Sequence, residues 1–186
     1  MKNTVTTLLA LSLVAAFASA SLASAACPTC DAATKLTKEL KALNYASEAD
    51  RSKGGLLALD AVKTFEQATK LPKKDARSKA FSSALPMVRE AAPYDGESQL
   101  AELLAATIKA DAKLKAEYEG YMKSLPKKTA ANKADACKTE QLKASVDEVL
   151  CRMGAGVKGQ DPASAKMQAD AKSCIRPFNF EECSKN

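Results

Sequence analysis

One stretch, residues 134–153, limits the folds open to this chain more than any other. Its apolar residues recur at three- and four-residue spacing and mark one helix face: Leu142, Val146, Val149, Leu150 and Met153. Cys137 and Cys151 are fourteen residues apart, so they differ by only about 40° around a helix and lie roughly opposite that face. About 21 Å of axial rise keeps them from bonding to each other. We therefore expect a helix covered on both sides, by a bundle and by other cysteine-bearing segments.

The N-terminus predicts export. Lys2 is its only charge, an apolar run follows over residues 8–17, and Ala23-Ser24-Ala25 is an A-x-A cleavage sequence. The apolar run is too short to span a bilayer comfortably. We predict a signal peptide over residues 1–25 and a single all-α domain over 26–186 without a membrane span. The alternative is a lipid on Cys27, although Ser24 stands where a lipoprotein signal normally carries Leu.

All six cysteines follow the predicted signal peptide: Cys27, Cys30, Cys137, Cys151, Cys174 and Cys183. An even count in an exported chain predicts disulfide bonds in the periplasm or outside the cell. The sequence has no His, which removes His-ligated haem, Cys–His metal sites and His-dependent hydrolysis. We expect no cofactor and no metal.

The net charge indicates a solvated surface. Without Lys2 the chain has 27 Lys and Arg against 22 Asp and Glu, a net charge of +5. Lys greatly outnumbers Arg, whereas bidentate phosphate recognition favours Arg. We therefore expect a protein or envelope component as the partner, and not a nucleic acid.

Helical periodicity and terminators predict a disulfide-stapled helical bundle of about five to six helices. The segments are 31–46, 56–70, 75–92 with Pro86 inside, 100–125, 134–153 and 162–177. Residues 51–55 are expected to be a break, and 100–125 a single helix nearly 40 Å long that only Asp111 interrupts. No segment reads as a convincing strand.

A second arrangement, stacked helical hairpins, comes from a local pattern of about 28 residues. The residues are Tyr45, Ala49, Gly54 or Gly55, Ala61, Phe65, Ala68 and Pro72. They resemble a single tetratricopeptide-type helix pair, in which small residues let two helices close. That resemblance implies a helical-repeat adaptor. Generic packing of a helical hairpin explains the same residues.

Cys27-Pro28-Thr29-Cys30 is the one recognisable chemical motif. Two thiols three residues apart beside a helix N-terminus resemble the active sites of thioredoxin-like oxidoreductases, which implies a redox pair. Such sites follow a β-strand, which is not found here, and Asp31 opposes thiolate formation. A structural link of these cysteines to each other or to the bundle is the favoured interpretation. We predict no catalytic residue, with Cys27 and Cys30 as the alternative redox pair.

Other chemical candidates are weaker. Glu117 and Glu119 form one carboxylate pair and Glu181 and Glu182 another, and such pairs are most often solvated. The GxGxxG spacing that begins at Gly154 follows a helix, whereas the nucleotide-binding motif follows a strand.

A helical hairpin predicts one pairing among the fifteen that six cysteines allow. Cys137 lies about 24 Å before the end of its helix, and Cys174 about 18 Å after Pro162. If the helices are straight, the two differ by about 6 Å in height, which the glycine-rich loop over 154–161 can absorb. We therefore expect a Cys137–Cys174 bond, which leaves Cys151 to pair with Cys183 or an N-terminal cysteine. The function expected from the whole sequence is binding by an exported helical protein.

Overall fold

A computed structural model describes residues 27–154, 169, 172–175 and 177–185. It contains seven helices with assigned bounds: α1 Pro28–Lys41, α2 Glu48–Thr69, α3 Lys74–Ala91, α4 Gln99–Ala110, α5 Ala112–Ser124, α6 Lys133–Gly154 and α7 Phe180–Lys185. A 3-10 turn, Ala92–Tyr94, follows α3. The described residues contain no strand, so the predicted all-α bundle is confirmed. The predicted signal peptide and most of the predicted segment 162–177 lie outside the described residues.

Helix α3 lies at the centre of the bundle. It packs against α1, α2, α5 and α6, and half of its length is buried. Helix α4 in turn packs against α2, α5 and α6. Pro86 lies inside α3 without ending it, so α3 is one helix as the sequence predicts. The predicted helix 134–153 is confirmed as α6.

Helix α1 begins earlier than predicted. It starts at Pro28, which suits the first helical position because proline has no N–H to leave unpaired. Cys27 occupies the N-cap position, and Asp31 lies in the first turn. The two buried residues Ala33 and Leu40 lie seven positions apart and face α2 and α3.

Helix α2 runs without interruption through the predicted break at Gly54-Gly55. Ser47 caps its start, because its Oγ accepts a hydrogen bond from the Asp50 N–H at 3.4 Å. Gly54 faces the ring of Tyr94 so closely that a Cβ would lie 2.1 Å from Tyr94 Cδ1. This glycine therefore permits close packing and does not end a helix. The tetratricopeptide-like pair is wrong, because its residues 49–68 lie on one continuous helix.

The predicted long helix 100–125 is also wrong, because the chain breaks at Asp111. This residue has extended backbone angles, φ −132° and ψ 108°, and separates α4 from α5. Its Oδ1 accepts hydrogen bonds from the N–H groups of Lys113 at 2.9 Å and Leu114 at 3.3 Å. The interruption of the apolar stripe is thus the N-cap of a new helix.

Three disulfide bonds are present: Cys27–Cys30, Cys137–Cys183 and Cys151–Cys174. The predicted Cys137–Cys174 bond is wrong, and so is its consequence that Cys151 pairs with Cys183 or an N-terminal cysteine. Cys174 contacts α6 only about 4 Å before the end of that helix at Gly154. The segment that carries Cys174 therefore does not extend back along α6 as far as Cys137. Helix α7 occupies that position instead and packs on the start of α6.

These disulfides indicate an exported protein, because such bonds persist in oxidising compartments. The Cys27–Cys30 bond also uses the sulfur that a lipid on Cys27 would need. Among the described residues, no helix combines the length and the apolar character required to cross a membrane.

Candidate functional site

One concavity on the described surface lies above α4, between α2 and α6, and we call it the socket. It encloses about 630 Å³ and is lined by Val62, Glu66, Gln99, Glu102, Leu103, Ala106, Val149, Arg152 and Met153. The four α4 residues of this lining share one helix face, because they are spaced three and four apart. The opposite face of α4 is buried in the core.

An exposed apolar ridge continues from the socket along α2. Leu59 precedes the socket residue Val62 by three positions, and Leu56 precedes Leu59 by three, so all three lie along one side of the helix. Leu56 is 67% exposed and Leu59 is 49% exposed. A single large aliphatic side chain in contact with water is common, whereas here two of them lie beside an apolar concavity.

Polar groups lie around the socket. Glu66 accepts a hydrogen bond from Lys70 Nζ at 2.5 Å. Arg152 Nε lies 3.8 Å from Glu148 Oε1, and this buried nitrogen has no hydrogen-bond partner among the described residues. The carboxylate of Glu102 makes no ion pair or hydrogen bond within the described part of the chain. The socket therefore offers an apolar lining with charged groups at its margin.

A second concavity, which we call the channel, lies between α5 and α6. Its two adjoining parts enclose about 460 and 340 Å³ and share Ile108, Lys115 and Leu150. The remaining lining residues are Lys109, Ala112, Tyr118, Glu119, Met122, Lys123, Thr139, Lys143, Asp147 and Gly154. Burial, with a smaller effect from Asp147, raises the pKa of Tyr118 to about 12, so its phenol is neutral at ordinary pH.

The Cys27–Cys30 disulfide lies in the first turn of α1, where the Cys30 N–H donates to the Cys27 carbonyl oxygen at 2.8 Å. Both cysteines are half-buried, and Thr29 Oγ1 lies 3.5 Å from Cys27 Sγ. The structure thus brings together the two residues of the predicted motif. It places them at the helix start, next to the acidic Asp31, as the sequence predicts.

Cys137, Glu140 and Cys183 form a further cluster, with one potential ligand atom from each within 4.8 Å of the others. The two sulfurs are joined in a disulfide, so they offer no thiolate to a metal ion. Lys128 Nζ also lies 3.5 Å from Cys183 Sγ. In the oxidised protein this cluster is a structural link between α6 and α7.

The predicted carboxylate pairs do not converge on one site. Glu117 accepts hydrogen bonds from Ser78 and from Ser82, the latter at 2.7 Å, and so joins α5 to α3. Glu119 lies 3.9 Å from Lys115 on the surface of α5. Glu181 accepts a hydrogen bond from Lys185, which holds the pKa of that exposed carboxyl below its usual value.

A buried ionic network between α3 and α6 has no counterpart in the sequence prediction. Arg89 is 5% exposed and Glu90 is 0% exposed. Arg89 Nη1 donates to Glu90 Oε1 at 3.0 Å, and its Nε donates to Thr139 Oγ1 at 2.8 Å. Arg89 Nη2 lies 2.5 Å from Asp135 Oδ2, and Lys138 pairs with Glu90. In the sequence, this network is indicated by two charged residues in a turn of α3 that proves to be fully buried. A search for apolar periodicity does not detect such residues.

No protein-family model, curated protein or solved structure matches this chain. Its function must therefore be inferred from its own surfaces and bonds.

Proposed function

We propose that this chain is an exported binding protein and that its socket receives an apolar side chain of a partner protein. The observation that carries this proposal is the continuity between the socket and the exposed ridge at Leu56 and Leu59. Protein interfaces concentrate their binding energy where a large side chain of one partner fills a pocket of the other.

The dimensions of the socket support a side chain as its occupant. Along α4 the lining extends from Gln99 to Ala106, which is about 10 Å. With a volume of about 630 Å³, the socket has room for one or two bulky side chains.

The ridge would enlarge such an interface. Covering an exposed leucine contributes about 1.5–3 kcal/mol, so Leu56 and Leu59 together add several kcal/mol before the entropy of association is subtracted. The unpaired carboxylate of Glu102 at the margin favours a partner with a basic residue beside its apolar anchor.

Site-specific photocrosslinking tests this proposal in the exporting cell. A photoreactive residue in place of Leu59 should give an adduct with one defined protein. The same residue in place of Lys35, an exposed position of α1, should not. The identified partner should then bind the purified protein directly. Ala106→Trp, which fills the socket from an exposed position, should weaken that binding at least tenfold.

Ala32→Trp is the matched control, because Ala32 is also an exposed helical alanine but lies on α1, which does not line the socket. Equal binding by the Ala106→Trp and Ala32→Trp variants would contradict the socket as the binding site. Equal crosslinking from Leu59 and Lys35 would contradict the ridge.

A thiol–disulfide enzyme is the second candidate function, because Cys27 and Cys30 form a half-buried disulfide at a helix start. Asp31 in that same turn disfavours the thiolate that such chemistry needs. We expect no turnover in an assay of insulin reduction by a dithiol reductant. Activity that disappears in the Cys27→Ser, Cys30→Ser variant would establish the enzyme instead.

A further inference from the structure

The channel differs from the socket in shape, and its shape selects a different ligand. Along α6 its lining extends from Thr139 to Gly154, about 22 Å. Its two parts have volumes of about 460 and 340 Å³. The length of the channel is about twice that of the socket along α4 and accommodates an extended alkyl chain.

The floor of the channel is apolar. Ile108 and Tyr118 are buried at 4% and 8% exposure, and Met122 and Leu150 lie half-buried beside them. The Tyr118 phenol remains neutral, as described above, so it adds no charge to this floor. Pockets for small molecules combine such a floor with a few polar groups that fix the orientation of the ligand.

The rims are cationic. Four lysines, Lys109, Lys115, Lys123 and Lys143, face two carboxylates, Glu119 and Asp147. Lys115 and Lys143 lie 3.9 and 3.2 Å from those carboxylates on their own helices, and Lys109 donates to the Met153 carbonyl oxygen at 3.4 Å. Lys123 makes no ion pair among the residues that the structure describes. The rim therefore has an excess of positive charge and one uncompensated ammonium group.

We propose that the channel binds a free single-chain anionic amphiphile, a long-chain carboxylate. Its carboxylate lies at the end where Lys123 of α5 and Lys143 of α6 both line the channel. Its alkyl chain extends over Tyr118 and Leu150 toward Gly154. This inference is independent of the socket, because the two linings have no residue in common.

Calorimetric titration of the oxidised full-length exported protein with dodecanoate, below its micellar concentration, tests the proposal. We expect one molecule bound per chain and an affinity that rises about tenfold to fifteenfold from decanoate to dodecanoate, because two more methylene groups are buried. Dodecyltrimethylammonium, with the same chain and the opposite charge, should bind at least tenfold more weakly than dodecanoate.

Charge reversal locates the head group. Lys123→Glu should weaken dodecanoate binding about tenfold and strengthen binding of the cationic amphiphile. Lys53→Glu makes the same change of net charge at an exposed position of α2. It should change the affinity for neither amphiphile. Both lysines are exposed, so neither variant should unfold, and circular dichroism checks this.

Three results would overturn the proposal. The first is equal affinity for the two amphiphiles, or equal effects of Lys123→Glu and Lys53→Glu. The second is binding to phosphatidylglycerol vesicles without binding to free dodecanoate, which would indicate a membrane surface as the ligand. The third is tighter binding of a glutamate-rich amphipathic peptide than of dodecanoate at the channel, which would indicate a protein ligand.

Discussion

Two adjacent glycines in α2 should respond in opposite directions to the same substitution. Gly55→Ala meets no atom within 4 Å and removes a flexible residue from a helix interior, so it should stabilise the protein by about 0.5–1 kcal/mol. Gly54→Ala gains the same propensity but places its Cβ 2.1 Å from Tyr94 Cδ1 and 2.6 Å from Tyr94 Cγ.

The Tyr94 ring cannot relieve this contact without disturbing its neighbours. Tyr94 packs on Tyr45 with 5.6 Å between ring centroids, and Tyr45 packs on Phe180 of α7 at 4.7 Å. Overpacking of this kind costs about 1–3 kcal/mol, and the contact here is with a ring rather than with the end of a flexible chain. We expect Gly54→Ala to be less stable than Gly55→Ala by about 2–3 kcal/mol.

Urea unfolding followed by circular dichroism measures the difference. A double-mutant cycle supplies the control: in a Tyr94→Ala background the contact is gone, so Gly54→Ala should stabilise as much as Gly55→Ala does. If both glycine variants are equally stable in the wild-type background, close packing does not explain Gly54, and the argument is refuted.

Four further predictions concern bonds and charges. Reduction of the disulfides should cost about 2–5 kcal/mol for each structural bond yet leave most helical ellipticity at low temperature; an unchanged melting temperature would contradict this. Asp111→Ala removes the N-cap of α5 and should lower the free energy of unfolding by about 0.5–2 kcal/mol. Asp75→Ala, the control at a fully exposed carboxylate, should lower it by less. Arg89→Met should cost about 3–5 kcal/mol in urea unfolding, because it leaves Glu90 buried with a single cation, and a neutral effect would show that Lys138 suffices. Burial raises the pKa of Tyr118 and of Tyr121 to about 12. Their contribution to stability is therefore complete below pH 10 and is lost as the pH rises from about 10 to 12. Ionisation of every tyrosine near pH 10 in a phenolate absorbance titration would refute this prediction.

The sequence predicted the helices well where apolar periodicity and local capping agree. Helix α6 and the extent of α3 follow from their spacing of apolar residues. The errors at Gly54 and Asp111 have a common cause. A glycine can serve a close contact and an aspartate can serve as a cap, and the choice depends on neighbours distant in sequence.

The disulfide pairing and the candidate surfaces depend on tertiary packing. The Cys137–Cys174 prediction required a straight returning helix, whereas α7 reaches Cys137 instead. The socket is formed by three helices, so no single stretch could indicate it. Leu56 and Leu59 read as ordinary helical residues until the structure shows that no described segment of the chain covers them.

The nested arrangement of two disulfides has a mechanical consequence. Cys151–Cys174 lies within the loop that Cys137–Cys183 closes, which spans a sequence separation of 46 residues. A force applied at the C-terminus therefore passes through the Cys183 sulfur directly into the first turns of α6. The chain between Cys137 and Cys183 bears no load until that bond is reduced, and its reduction alone would release about 75 Å of extended length, because Cys151–Cys174 still bridges 23 of the 46 residues.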